Sequence, residues 1–283
     1  MHTPVLVNQI IEASKVAHLN QAKVIDATLG AGGHSIEFCK LGAEVLGIDA
    51  DQQMLLIAQK RLEVACPGHF KLSHGNFTQL NSIARKSGFS DLDVVLFDLG
   101  ISTLHYIEFD RGFSFDKPQQ SLDMRLDPTT QAVTASDLLN ALDQKQLLSL
   151  FQTVFDYSQA KRLADKVIAA REQKRFEKVQ DLVDLTSQKQ KLFLALRIGV
   201  NSELDNIPAA LGQAYELLKD GGRLLVISFH SMEDRVVKRA LLDLVEEKKA
   251  ILVTKKPVEA DEEEIRQNPK ARSAKLWILE KRH

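Results

Sequence analysis

Three glycines, at positions 30, 32 and 33, follow an apolar run in "DATLGAGGHS" (26–35), and Asp49 stands 19 residues after the first of them. A glycine-rich turn between a strand and a helix lets backbone amides come close to a ligand. An acid at the end of the following strand accepts both hydrogen bonds of a ribose diol. The combination points to an adenosine-type cofactor; the purely structural alternative is a tight turn, with Asp49 and Asp51 capping the next helix. The spacing is G-x-G-G, Ser35 stands where the dinucleotide fingerprint has its third glycine, and no G-K-[ST] follows, which argues against a nucleoside triphosphate loop. Asp98 ends "LDVVLFD" (92–98), and a strand there places its carboxylate beside the reactive end of the cofactor. NAD and S-adenosylmethionine share this layout. The position of Asp98 favours methyl transfer from S-adenosylmethionine, with a nicotinamide-dependent oxidoreductase as the alternative.

The elements that must hold these residues are legible as short apolar runs alternating with stretches of helical period. "KVIDAT" (23–28), "EVLGID" (44–49), "HFKLSH" (69–74) and "LDVVLFD" read as strands, each followed by helical spacing such as "DQQMLLIAQKRLEV". Near-continuous apolar strands imply a parallel sheet covered on both faces, an α/β Rossmann-like fold of the class I methyltransferase kind. The next strand, "GRLLVISF" (222–229), follows only after a long interval. That interval reads as an inserted helical substrate-recognition domain at 108–197, which leaves 1–107 and 198–283 as a discontinuous Rossmann-like domain. Its helices are carried by "SDLLNALDQKQLLSLFQTVF", "SQAKRLADKVIAAREQK" and "VQDLVDLTSQKQKLFLALRI". A helix from Ser202 to Leu218 stops at Gly221-Gly222, and another opens at Ser231. "AILVT" and "AKLWILE" pair as antiparallel strands that close the sheet, which also suits a methyltransferase better than a dehydrogenase.

A chain of 283 residues, 44% hydrophobic and with formal net charge -1, is an ordinary globular protein without a uniformly basic coat. No apolar stretch is long enough to span a membrane and the first residues do not read as a leader, so the expected location is the cytoplasm. Cys39 and Cys66 supply neither a disulfide framework nor a metal-ligand spacing; both are expected to be buried and reduced, and no metal is expected. Two local basic patches remain. Residues 161–178 hold seven Lys or Arg against three acids, and 266–283 hold six against one, as contacts for phosphates or as solvated faces.

In order along nearly the whole chain, "HTPVL", "DATLGAGGHS", "GIDAD", "DLGIS", "RGFSF", "LDMRLDP", "RIGVNSEL", "LLKDGGRLLVISFHSMEDRVVKR" and "NPKARSAKL" resemble the bacterial MraW-type (RsmH) 16S ribosomal RNA cytosine-N4 methyltransferases. The resemblance implies S-adenosylmethionine as methyl donor and the exocyclic amine of a cytidine in the decoding region of small-subunit ribosomal RNA as acceptor. The implied partner is that RNA or the 30S particle, and a homodimer is left open. By motif, Gly30, Gly32, Gly33, His34, Asp49, Phe77 and Asp98 contact the cofactor. Thr103 and His105 stand where the family has serine and glutamine, so His105 takes the glutamine's cofactor contact. Other departures bear on substrate docking: "FDYSQAKR" replaces the family's Tyr-Gly-Glu-Glu, and "SQKQKLFLALRI" lacks the His-Pro-Ala-Thr-Arg before "LRI". A divergent paralogue with a changed target or little activity is therefore a further alternative.

Cytosine's exocyclic nitrogen is a weak nucleophile because its lone pair is delocalised into the ring. Orientation in line with the donor methyl, together with hydrogen-bond acceptors that localise the lone pair, are the needed contributions, and Asp98 and Ser102 are the candidate catalytic residues. Phe113 and Phe115 in "RGFSF" can stack on a base taken out of its helix, or anchor the inserted domain. His230 and Ser231 leave a strand end, and Arg235 and Lys238 follow at helical spacing. They can read base edges and phosphates, with capping by Ser231 and an Asp234–Lys238 ion pair as the alternative. The family's motifs add Arg111, Asp123, Arg125, Asn201, Phe229 and Arg272 to the substrate-binding candidates.

Overall fold

The computed structural model describes residues 4–19, 21–247 and 250–282. His2 and Thr3 of "HTPVL", and His283 at the end of the second basic patch, lie outside the described residues. The chain divides into two compact units, Met1–Ile101 with Asp205–His283, and Ser102–Leu204.

Along the chain, α1 (Val7–Ser14) precedes β1 (Lys23–Asp26), α2 (Gly33–Lys40), β2 (Glu44–Asp49), α3 (Gln52–Ala65), β3 (Phe70–His74), α4 (Leu80–Ser87) and β4 (Leu92–Asp98). Helices α5 (Thr103–Ile107), α6 (Ala135–Ala141), α7 (Gln144–Gln152), α8 (Tyr157–Gln173) and α9 (Lys189–Asn201) make up the second unit. Then come α10 (Glu203–Leu217), β5 (Leu218–Ser228), α11 (Ser231–Glu246), β6 (Ala250–Leu252), β7 (Val258–Glu259), α12 (Glu262–Gln267) and β8 (Lys275–Lys281).

The strands form one sheet in the order β3-β2-β1-β4-β5-β8-β6, with β7 also paired to β8. Strands β1 to β5 run parallel, and β8 runs antiparallel to β5 and β6, with Ala250 opposite Lys281 and Arg223 opposite Glu280. This is the expected Rossmann-like architecture with its closing antiparallel pair. Val24, Ile25, Val45, Leu46, Ile48, Val94, Val95 and Leu96 are fully buried, as strands covered on both faces require. At about 1.5–3 kcal/mol for each buried aliphatic side chain, they fix the register on which the site depends. Strand β1 pairs with β2 on one side and β4 on the other, so successive connections diverge there. The crevice of an open α/β sheet forms at such a switch point, outside the carboxyl ends of the strands.

Three local expectations are corrected. Gly221 and Gly222 do not end α10; they lie within β5, where Leu92 faces Leu218 but Val94 faces Arg223, so residues 219–222 bulge out beside Asp93. The run 136–155 is two helices, because Leu142 is extended and Asp143 caps a new start with Gln146 in a reciprocal capping box. The run 179–198 is helical only from Lys189; before it stand a short 3-10 turn, Val179–Asp181, and irregular chain. The helical unit is also wider than 108–197, since the α9 side chain of Arg197 donates to the Tyr106 hydroxyl of α5 and Asn201 takes the amide of Leu126. Cys39 and Cys66 are buried and free. Among the described residues, no helix is long and apolar enough to cross a membrane.

Candidate active site

The rim at the carboxyl ends of β1, β2 and β4 is built from the glycine loop outward. Gly30 and Gly32 adopt φ of +53° and +75°, a left-handed conformation that side chains with a Cβ resist. The loop is pinned from two directions: Asp49 Oδ2 accepts the Gly30 amide at 2.7 Å, and Arg61 of α3 donates to the Ala31 carbonyl. Asp49 Oδ1 also accepts the Asp51 amide at 2.8 Å. Helix α2 starts directly after the loop, so the amides of its first turn, at Gly33, His34 and Ser35, point out of the helix end toward the rim. Ser35, standing where the dinucleotide fingerprint has its third glycine, donates its hydroxyl to the buried Asp26 at 2.7 Å. Burial raises the Asp26 carboxyl, while His34, Ser35 and the Thr28 amide pull it down.

Residues 4–6 form a strap against the start of α2. A Cβ on Gly33 would sit 3.0 Å from the Pro4 ring, so the strap lies directly on that glycine. The Val5 carbonyl takes His34 Nε2 at 2.8 Å, and the Leu6 amide donates to Glu264 of α12, whose other oxygen accepts from Gln9. Asp98, at the end of β4, is oriented through its own amide, which donates to Thr28 Oγ1 at 2.6 Å. Its Oδ2 lies 3.7 Å from His34 Nδ1, and its Oδ1 has no hydrogen-bond partner among the described residues. Burial is the main reason the Asp98 carboxyl is raised to about 6; His34 and Lys270 oppose the rise, and Asp26 and Glu233 add to it. Phe77 lies beside this strand end, edge-on to Phe97 at 5.9 Å. The structure therefore brings together Gly30, Gly32, Gly33, His34, Asp49, Phe77 and Asp98.

The β5–α11 turn adds Phe229, His230 and Glu233. Glu233 is buried and accepts the Phe229 amide at 2.9 Å, with His230 Nε2 2.9 Å from its other oxygen. His230, not Ser231, is the cap of α11, since its Nδ1 accepts the Glu233 amide. Asp234 accepts from Trp277 at 2.8 Å, with Lys275 at 3.4 Å, in place of the Lys238 pairing that helical spacing offered. Ser231, Arg235, Lys238 and Arg272 are exposed.

In the helical unit, Ser102 caps α5 by accepting the Leu104 amide. His105 is buried edge-on between Phe109 and Phe113. Arg111 donates to the carbonyls of Arg125 and Leu126, both at 2.9 Å, and its guanidinium covers Phe109. Asp123 and Arg125 form a two-pronged pair at 2.7 and 2.8 Å. Burial pushes the Asp123 carboxyl up, but the hydrogen bonds and charge of Arg125 outweigh that and hold it low. Asn201 is buried, with its amide group spent on Leu126, Met124 and Arg197. Phe113 is buried, and Phe115 packs edge-on to Phe193; both line a cavity of about 450 Å³ with Tyr106, Met124 and Arg197.

The family model described as the MraW methylase family matches residues 1–282. The chain belongs to the MraW methylase family. A curated relative from Dictyoglomus thermophilum, named ribosomal RNA small subunit methyltransferase H, is 38% identical across 100% of this chain and 97% of its own. One of the same name from Pseudothermotoga lettingae is 36% identical across 100% of this chain and 99% of its own. Among solved structures, the O-methyltransferase TomG from Streptomyces achromogenes, in complex with SAM, aligns with a TM-score of 0.51 at 10% identity over 99% of this chain and 82% of that one, a likeness of fold alone.

In this MraW methylase family chain, the rim residues fit the donor that the family implies. Both Asp49 oxygens face backbone at the carboxyl end of β2, Oδ2 accepting the Gly30 amide and Oδ1 the Asp51 amide, which sets an acid directly beside the glycine loop. The unpartnered Oδ1 of Asp98 gives a cation or an amine an acceptor to meet. Sequence reasoning missed Thr28, Arg61, Ser35, Glu233 and Glu264. Of these, only Ser35 carried a local signal, as a hydroxyl in the first turn of α2 facing the acid that ends β1.

Proposed function

We propose that this chain transfers the methyl group of S-adenosylmethionine to N4 of a cytidine in the decoding region of 16S ribosomal RNA, acting in the cytoplasm on the RNA or on the 30S particle. The observation that carries this reading is the membership of the whole chain in the MraW methylase family, joined to a carboxyl rim where Asp98 keeps a buried oxygen without a partner beside the glycine loop. The name shared by the full-length relatives supports small-subunit ribosomal RNA as the substrate.

Bound S-adenosylmethionine supplies a methyl group made electrophilic by its sulfonium charge. Asp49 accepts hydrogen bonds from the ribose diol, and the loop through Gly30, Gly32 and Gly33 gives the donor a close backbone wall. Asp98 accepts a hydrogen bond from the cytosine amine, which draws the nitrogen lone pair out of conjugation and stabilises the positive charge that grows on nitrogen. Ionised above about pH 6, it is also a competent acceptor for the amine proton. The carbonyls of residues 99 and 100 are further acceptors on the same turn, and Ser102 and His105 are assigned supporting contacts. Within the helical unit, the cavity of about 450 Å³ lined by Phe113 and Phe115 is an aromatic surface on which an unpaired RNA base stacks. The exposed Arg235, Lys238 and Arg272 take phosphates, and His230 takes a base edge.

The test is incubation with purified small subunits and isotopically labelled S-adenosylmethionine, followed by nucleoside mass spectrometry. Labelled N4-methylcytidine is expected, with at least a hundredfold loss in Asp98→Ala. Methylation of a different nucleoside, or donor binding without any product, overturns the assignment of target. Light scattering of the same preparation decides between monomer and homodimer.

A further inference from the structure

The rim holds a pair of groups whose geometry the methyl-transfer chemistry leaves unexplained. His34 Nε2 lies 2.8 Å from the Val5 carbonyl, and a carbonyl can only accept, so this nitrogen carries the hydrogen. In the neutral ring Nδ1 then presents a lone pair. Facing it at 3.7 Å is Asp98 Oδ2, a second acceptor, across a gap too wide for a hydrogen bond. One proton, on either partner, turns that repulsion into attraction. The strap fixes the arrangement, because the residue after Val5 is tied to Glu264, and Thr28 fixes the other side through the Asp98 amide.

Burial favours keeping the proton, and the neighbouring charges act in both directions. Asp98 is faced by Asp26 from β1, His34 from α2, Glu233 from α11 and Lys270 from the 3-10 turn Pro269–Ser273. Against the two acids stand His34 and a lysine whose own pKa burial lowers. With burial as the largest cause, the Asp98 carboxyl is raised to about 6.

We propose that Asp98 and His34 hold one proton in common and surrender it when a cation occupies the rim, so that the site takes up the charged methyl donor with release of a proton and the neutral thioether product without it. The proposal rests on the reading that S-adenosylmethionine is the donor. The balance is simple: protonated protein and sulfonium donor give the complex and one proton to solvent, whereas S-adenosylhomocysteine binds with the proton retained. Where the free site is ionised the donor is preferred over the product, and that preference shrinks about tenfold for each pH unit below the titration of the pair. Methyl transfer removes the positive charge from the ligand, so the same pair weakens the grip on the product as soon as it forms.

Titration calorimetry of the full chain with S-adenosylmethionine and with S-adenosylhomocysteine, between pH 5 and 8 in buffers of different ionisation enthalpy, counts the protons exchanged. The two ligands share their amino acid end, so any proton exchanged there cancels in the comparison. Near pH 5.5 the donor is expected to release up to about three-quarters of a proton more than the product, and Asp98→Asn is expected to abolish that difference at whatever affinity it retains for each. Equal proton release by the two ligands, or a difference that survives Asp98→Asn, overturns the proposal. If neither ligand gives heat, the donor reading fails instead, and the pair is then decided in the unliganded chain by nitrogen NMR of the His34 ring. There, hydrogen on Nε2 and an Nδ1 signal that changes in Asp98→Asn are expected; hydrogen on Nδ1, or an Nδ1 signal unchanged by Asp98→Asn, overturns the shared proton.

Discussion

Replacing Asp98 by asparagine is expected to stabilise the protein at alkaline pH and leave it unchanged in acid. The carboxyl is raised from 3.8 to about 6 in the folded chain, mainly by burial. At about 1.4 kcal/mol for each tenfold change in acid strength, that displacement is worth about 3 kcal/mol. Partial exposure of the side chain, 23%, brings solvent screening that lowers the figure toward about 2 kcal/mol. Between pH 4 and 6 the folded chain binds a proton that the unfolded chain has lost, so stability falls as pH rises through this window and stays lower above it. Asparagine keeps the shape and the amide that donates to Thr28, but has no charge to bury. Thermal unfolding followed by circular dichroism at pH 4 and pH 8 measures the difference. The melting temperature of Asp98→Asn is expected to match that of the parent at pH 4 and to exceed it by about 4–8 °C at pH 8. A variant that is less stable than the parent at pH 8, or offset equally at both pH values, refutes the buried-charge account of this rim.

Asp49→Asn leaves one acceptor oxygen where two backbone amides now bind and removes an acceptor from the proposed ribose contact; calorimetry is expected to show at least a tenfold weaker S-adenosylmethionine complex, about 1.4 kcal/mol. Gly112→Ala places a methyl group 2.1 Å from the Ser121 carbonyl at a φ of +73°. A loss of about 2 kcal/mol or more is expected in urea unfolding followed by Trp-independent circular dichroism, with the transition of the helical unit moving most. Arg197→Ala strands Glu203, to which Arg197 now donates twice at 2.9 Å with both side chains largely buried. The expected cost is about 3 kcal/mol, and Glu203→Gln in the same background is expected to recover part of it.

The parallel strands and the glycine loop were legible because their signals are local: an apolar run bounded by turn residues, and glycines where positive φ is needed. Asp49 and Asp98 were legible for the same reason, as the last residues of strands. The start of β5 was not, because the bulge at residues 219–222 looks like a helix stop unless the register against Leu92 is known. The split between α6 and α7 was written in Asp143 and Gln146, but a continuous apolar period masked it. Arg111, Asp123, Arg125 and Asn201 show how motif residues resist assignment. A charged or amide side chain reads the same in sequence whether it meets a ligand or braces its own unit, and here each has polar atoms engaged by neighbours within 102–204. Contacts such as Glu264 with Leu6 join residues from opposite ends of the chain and have no local signature.

That last contact sets a timetable for synthesis. A nascent chain that has already made the glycine loop, Asp49 and Asp98 still lacks the carboxylate that grips Leu6, and it lacks β8, which lies inside the sheet between β5 and β6. At ordinary translation speeds the wait from Asp98 to Glu264 is about 10–30 s. The wall that Val5 lends to His34 is therefore among the last parts of the rim to be secured, so an incomplete polypeptide emerging beside ribosomal RNA is poorly equipped to capture a methyl donor.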